Sequence, residues 1–228
     1  MSQVSKVTFD FLNQLKKNND RDWFQENKPC YEASQKELIA FADELLSRLN
    51  EFDKIETVSG KKSLYRIYRD VRFSKNKLPY KTNRSGSFKR RDKSRRGGIY
   101  FSIEPGNTLI GGGFYQPNKE DLNLIRQQIE VDSSLLKKVL NAKTFKAYYG
   151  NLQGEKLKTS PRGVDADHPE IELLRYKSYY VMHAFSDEEV LADDFTSKVI
   201  EGYKKLLPFF DAMSLYLTTD LNGESIID

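Results

Sequence analysis

Cysteine is nearly absent: Cys30 is the only one in 228 residues. One cysteine forms no intrachain disulfide and supplies no thiolate cluster for zinc, so the composition suits a reducing, cytoplasmic setting. The residues around Cys30 match no nucleophile signature, which makes it a plain free thiol. Histidine is almost as scarce, with only His168 and His183, too few for an imidazole-rich metal centre. Long apolar runs are missing as well. The N-terminal stretch spaces its apolar residues as a helix face rather than as a leader peptide or membrane anchor, so no membrane association is expected. No phosphate-binding Walker loop, dinucleotide-binding glycine fingerprint, HExxH or GxSxG occurs, which removes the commonest nucleotide, zinc-protease and serine-hydrolase chemistries.

What the chain has in excess is positive charge, and it is concentrated. Residues 61–96 hold fifteen Lys and Arg against two Asp, about +13, while the whole chain is +4. The rest therefore sums to about −9, so a basic element is set into an acidic body. With 38% hydrophobic and 12% aromatic residues the chain has ample material for a packed core. One globular domain over 1–228 is expected, with the run KRRDKSRRGG at 89–98 as a mobile loop.

Periodicity sketches the elements. Thr8 opens a helix with Phe9, Phe11, Leu12 and Leu15 inward, ended by Asn18 and Asn19. Asp20 or Asp22 caps a second helix at Trp23 and Phe24, and Pro29 interrupts it. Leu38, Phe41, Ala42, Leu45 and Leu49 mark a long amphipathic helix. Residues 64–73 alternate like a strand, and 98–104 with 108–115 read as a hairpin turning at Pro105, Gly106 and Asn107. Gly111, Gly112 and Gly113 inside that hairpin point to a bulge or a close backbone approach. Helical spacing returns after Pro117. A β-prone run at 179–185 precedes a capping box, Ser186 with Glu189, and a last helix runs from about Asp194, bends at Pro208 and continues through Phe210, Met213 and Leu217. Hairpin-linked strands between groups of helices give an α+β class: an antiparallel sheet packed by helices.

In the 64–73 strand one parity presents Arg66, Tyr68, Asp70 and Arg72, spaced about 7 Å apart, close enough for two guanidinium groups to straddle a phosphate or carboxylate. Asp70 could equally pair with Arg66 or Arg72 in a solvated ladder. Arg69 falls on the apolar parity, as a structural anchor to a helix acid or as a ligand contact. Beyond it, Ser74, Lys75, Asn76, Lys77, Lys81 and Thr82 surround a turn stiffened by Pro79 and mix charge with hydrogen-bond donors. Tyr65, Tyr68, Phe73, Tyr80 and Phe88 interleave the charge, as stacking on nucleic-acid bases would require, but by parity at least half of these rings belong to the core. A second constellation, LKTSPRGVDADHP, supplies Arg162 for anions and Asp165, Asp167 and His168 as capping or proton-moving groups rather than metal ligands. His183 lies among Tyr179, Val181 and Phe185 as a core histidine. Asp70, Asp167 and His168 are the weak catalytic candidates. No cofactor is indicated.

Four blocks, NNDRDWFQENKPCYE, RIYRDVRFSKNKLPYKT, GGIYFSIEPGNTLIGGGFYQP and LKTSPRGVDADHPEIELLRYKS, resemble the microbial family labelled domain of unknown function 2461. The likeness runs from about Phe9 to the final helix, with RIYRDVRFSKNKLPYKT the most specific block and KRRDKSRR the main departure. It implies a single globular domain and assigns no catalytic residue. Three functions fit the residues: an enzyme or sensor for a small phosphorylated or carboxylated molecule, a nucleic-acid-binding module, and an interaction domain for an acidic protein.

Overall fold

The computed structural model describes residues 3–227. Among the described residues, ten helices and one four-stranded open antiparallel sheet of order β1-β2-β3-β4 make an α+β fold. The strands are β1 (Arg84–Lys89), β2 (Gly98–Ile103), β3 (Thr108–Phe114) and β4 (Tyr179–Phe185). The chain forms two compact units, one of residues 3–89, 100–110 and 184–201, the other of 90–99, 111–183 and 202–227. Among the described residues no helix is long and apolar enough to cross a membrane.

In the first unit, α1 (Lys6–Lys17) is capped by Ser5, whose side chain accepts from the Val7 amide, two residues ahead of the helical positions Thr8 was expected to open. Asp20 caps α2 (Arg21–Glu26) by accepting from Trp23 N at 2.9 Å. Pro29 interrupts nothing. It sits in the first turn of α3 (Lys28–Leu49), where an amide has no helical partner to lose. The α3 residue Phe41 meets the β2 residue Phe101 edge-on at 5.8 Å and stacks on Phe195 at 5.6 Å, which centres this unit's core. A short helix, α4 (Gly60–Ser63), leads into the basic segment.

The expected strand over 64–73 is shorter than its alternation suggests. Pairing begins with the Leu64–Gly86 bridge and Tyr65 N donating to Ser85 O at 2.9 Å. It resumes with Lys81 N to Ile67 O at 2.8 Å, the Tyr68–Tyr80 bridge and Arg69 N to Pro79 O at 2.9 Å, then stops. Residues 64–69 and 79–86 thus form an irregular hairpin with 70–78 as its tip. Phe73, on the parity expected to face inward, is 95% exposed.

The second unit contains α5 (Lys119–Val131), α6 (Ser134–Asn141), α7 (Lys143–Tyr149), α8 (Ile171–Leu174) and residues 179–183 of β4. Its core joins Phe114, Phe145, Phe209 and Phe210. The glycines of β3 serve a close approach: a Cβ at Gly111 would lie 2.1 Å from Val181 O, and one at Gly113 would lie 2.3 Å from Tyr179 O. The Ser186–Glu189 capping box forms at the start of α9 (Asp187–Leu191). The final helix, α10 (Phe195–Thr218), is continuous through Pro208.

The 89–98 run is tied at several points. Arg90 is 4% exposed and lies 4.7 Å from the Phe210 ring centre, and Arg96 pairs with Asp121 and donates its amide to Ser214 Oγ. The exposed basic residues of this run are Lys89, which pairs with Glu56 at 2.8 Å, Arg91 and Lys93.

Candidate anion-binding site

A side chain in the junction between α1 and α2 fixes the hairpin. Asn19 Nδ2 donates to Tyr80 O and Tyr80 N donates to Asn19 Oδ1, both at 3.0 Å and both buried. One side-chain amide thereby satisfies both backbone groups of Tyr80, as a neighbouring strand would. Phe24 of α2 then stacks on the Tyr80 ring at 4.1 Å, within a cluster of Phe11, Leu12, Leu15 and Ile67. The blocks NNDRDWF and RIYRDVRFSKNKLPYKT, separate in sequence, share one core.

Between α2 and the hairpin lies a cleft of two adjoining hollows that share Arg21, Val71 and Pro79. The smaller, about 260 Å³, is completed by Gln25, Tyr68, Arg69 and Tyr80. The larger, about 490 Å³, adds Asn19, Asp20, Asn76, Lys77 and Leu78. In the larger hollow most polar groups are already engaged: Asp20 caps α2, Lys77 Nζ donates to Val71 O at 2.9 Å, and Asn76 Oδ1 accepts from Leu78 N at 3.0 Å. The smaller hollow differs. Arg69 spends only Nη1, on Leu78 O at 3.4 Å, and neither Arg21 nor Arg69 forms an ion pair among the described residues. No carboxylate lines this hollow. Burial, and then the Tyr68 phenol, push the Tyr80 hydroxyl above the ordinary tyrosine value, so it stays a hydrogen-bond donor at neutral pH.

The sequence-derived candidates divide around this cleft. Tyr68 and Lys77 line it. Arg69 is a cleft-wall residue with no helix acid opposite it, which removes the expected structural anchor. Arg72 and Asp70 close on each other, with Nη2 to Oδ2 at 2.7 Å, on the exposed tip. The Arg72 guanidinium holds the Asp70 carboxyl below the usual carboxylate range, so Asp70 is an ionised partner and a poor proton donor. Lys75 is exposed, Ser74 donates its amide to Val71 O in the tip turn, and the Thr82 hydroxyl donates to Glu104. In the second unit, Asp165 Oδ1 accepts from Asp167 N at 3.0 Å, and His168 Nδ1 accepts from Glu170 N at 3.1 Å. Those are turn contacts: α8 starts only at Ile171, so Pro169 is not an early helical position. Arg162 is exposed in a neighbouring turn. His183 is half-buried and stacks on Tyr148 at 3.8 Å. No group of three or more potential metal ligands occurs among the described residues. The sequence reading missed Arg21 and Gln25, whose only sequence signal is that their block accompanies the basic one.

The buried arginine of the hairpin is Arg84 rather than Arg69. It is 2% exposed, and its Nη atoms donate to the carbonyl of Tyr65 and to Gln35 Oε1, both neutral. A buried charge with no counter-ion costs roughly several kcal/mol. Burial, and then the like charges of Arg66 and Arg84, hold the Lys81 ammonium below its ordinary value of 10.5. Between the lowered value and 10.5 the unfolded chain binds more protons at this site than the folded one, so stability rises with pH across that window. Lys81→Met is accordingly expected to raise the urea midpoint at neutral pH, with the difference from wild type shrinking as pH approaches 10.5. A pH series of denaturation curves checks this, and a constant difference would contradict it.

The conserved hypothetical protein family DUF2461 matches residues 7–211, spanning both blocks that build the cleft. The chain belongs to DUF2461. No curated protein and no solved structure matches this DUF2461 member.

Proposed function

We propose that this DUF2461 protein binds a small phosphorylated or carboxylated molecule in the cleft between α2 and the hairpin, as an enzyme or a sensor. The observation that carries the reading is the wall of the smaller hollow, where Arg21 and Arg69 stand with Gln25, Tyr68 and Tyr80 and no carboxylate answers them. Guanidinium forks match the paired oxygens of a phosphate or carboxylate, and the amide and phenol add neutral donors that orient it. Calorimetric titration with a panel of phosphorylated and carboxylated metabolites is expected to give at least one binder. Arg69→Ala should weaken that binder at least about tenfold, as expected for loss of a charge-assisted hydrogen bond, with little change in thermal stability. Absence of any binder, or unchanged affinity in Arg69→Ala, would contradict the reading.

One observation favours single-stranded nucleic acid as a second reading. Phe73 is 95% exposed at the hairpin tip, beside Arg72 and near Lys75, with Tyr65 and Tyr68 about half exposed behind it. Exposed rings among cations are what base stacking uses. This reading expects oligonucleotide affinity to fall with salt at a log-log slope of roughly −0.7 per phosphate contacted, and to fall further in Phe73→Ala.

A further inference from the structure

Arg84 lies outside the cleft wall, and its charge is not explained by packing. Its Nη1 donates to Tyr65 O at 3.4 Å, its Nη2 to Gln35 Oε1, and the Tyr31 ring centre is 5.7 Å away. Its Nε is buried and has no hydrogen-bond partner. A planar, permanently charged group held among neutral oxygens keeps its full positive field, and the unused Nε is a donor still to be filled.

The neighbours of Arg84 add charge of the same sign. Tyr65, whose carbonyl takes Arg84, also has Lys81 Nζ 5.6 Å from its ring centre. Lys81 is half-buried. Arg66 follows Tyr65 in the chain, is exposed, and forms no ion pair among the described residues. The acids placed beside these residues are engaged: Glu104 accepts from Thr82 and Asn107, and Asp70, which feels the charge of Arg66, pairs with Arg72. Three cations therefore gather around Tyr65, and the Asp70 carboxylate is already paired with Arg72, an arrangement that self-repulsion disfavours unless an anion enters.

We infer that Arg66, Lys81 and Arg84 form a second anion site at the base of the hairpin, for a tetrahedral oxyanion of the phosphate class, whether inorganic phosphate or a terminal phosphate monoester. Charge selects phosphate over carboxylate here, because a dianion offsets two of the three cations where a carboxylate offsets one. Arg66 supplies the outer contact, Lys81 the middle one, and Arg84 the field and the unused Nε from beneath. This site stands apart from the α2 cleft and does not depend on it.

The test is the ³¹P line width of inorganic phosphate as protein is added at constant ionic strength. The wild-type protein is expected to broaden the line. Arg84→Met, and separately the surface double variant Arg66→Ala with Lys81→Ala, should weaken phosphate binding at least about tenfold. Arg69→Ala, which alters the cleft, should retain the broadening. Thermal denaturation in chloride gives an independent readout: Arg84→Met is expected to melt at a temperature equal to or above wild type, since methionine fills the space without a buried charge. Should Arg84→Met fail to fold, the double variant carries the test, because both of its positions lie at the surface or half-buried. The inference is overturned by no broadening in wild type, or by broadening undiminished from wild type in both the Arg84 variant and the Arg66, Lys81 double variant. Broadening lost only in Arg69→Ala would assign phosphate to the cleft, overturning the second site while leaving the cleft reading intact.

Discussion

Phe24→Ala is expected to cost about 3–5 kcal/mol of stability and to abolish ligand binding at the α2 cleft. Phe24 is 3% exposed and touches four other rings: Tyr80 stacked at 4.1 Å, Tyr31 at 5.1 Å, and Phe11 and Tyr68 both at 6.3 Å. Removing it opens a cavity where α2, α3 and the hairpin meet. Because Tyr68 and Tyr80 line the cleft, their loss of support displaces the wall itself. The companion change Asn19→Ala keeps the rings but orphans the Tyr80 amide and carbonyl, at roughly 1–3 kcal/mol for each group left unsatisfied. Urea denaturation of both variants, followed by titration of the wild-type binder, checks the pair. A Phe24→Ala protein with wild-type stability would mean that the hairpin is not held by this cluster.

Gly154→Ala should be the most damaging single substitution in the second unit. A Cβ there would lie 1.7 Å from Ser178 O and 2.7 Å from its carbonyl carbon, well inside contact distance. The backbone cannot retreat, because hydrogen bonds pin the position on both sides: Gln153 N to Tyr180 O at 2.9 Å and Lys177 N to Glu155 O at 2.8 Å. Relief requires breaking that pairing, so a loss of at least about 4 kcal/mol, or failure to fold, is expected. Gly150→Ala makes a useful contrast. Its φ of +69° strains an L-residue, but nothing lies within 4 Å of its Cβ, so a smaller loss of roughly 1–3 kcal/mol is expected. Equal melting temperatures for the two variants would contradict this account.

Patterns of short range carried most of the fold that could be read from sequence. The β2–β3 hairpin announced itself by alternation around Pro105, Gly106 and Asn107, and the turn closes there with Asn107 N donating to Glu104 O at 2.9 Å. The capping box at Ser186 needed only four residues. By contrast β1 carries Ser85, Gly86 and Ser87 instead of branched residues, and at Gly86 a Cβ would meet the Phe101 ring at 2.7 Å. Tertiary packing there demanded the residue that propensity disfavours. Alternation also misled at 70–73, where Asp70 and Arg72 pair within a tip loop and leave Phe73 in solvent.

The site was half legible for the same reason. Charge density marked the basic segment, and Tyr68 and Lys77 do line the cleft. Parity singled out Arg69 as the arginine set among apolar neighbours, yet the buried one is Arg84, because pairing slips between Tyr65–Ser85 and Ile67–Lys81 and simple alternation no longer applies. Arg21 and Gln25 lay on a helix that no local pattern connects to the hairpin. Their link is the reciprocal Asn19–Tyr80 hydrogen bonding, a contact 61 residues apart in sequence.

Backbone amide chemical shifts recorded while the metabolite panel is titrated into ¹⁵N-labelled protein test the central claim most directly. The account predicts that at least one phosphorylated or carboxylated compound moves Arg21, Gln25, Tyr68 and Arg69 together, in a saturable manner. Shifts confined to residues outside the cleft, or none with any compound, would contradict it.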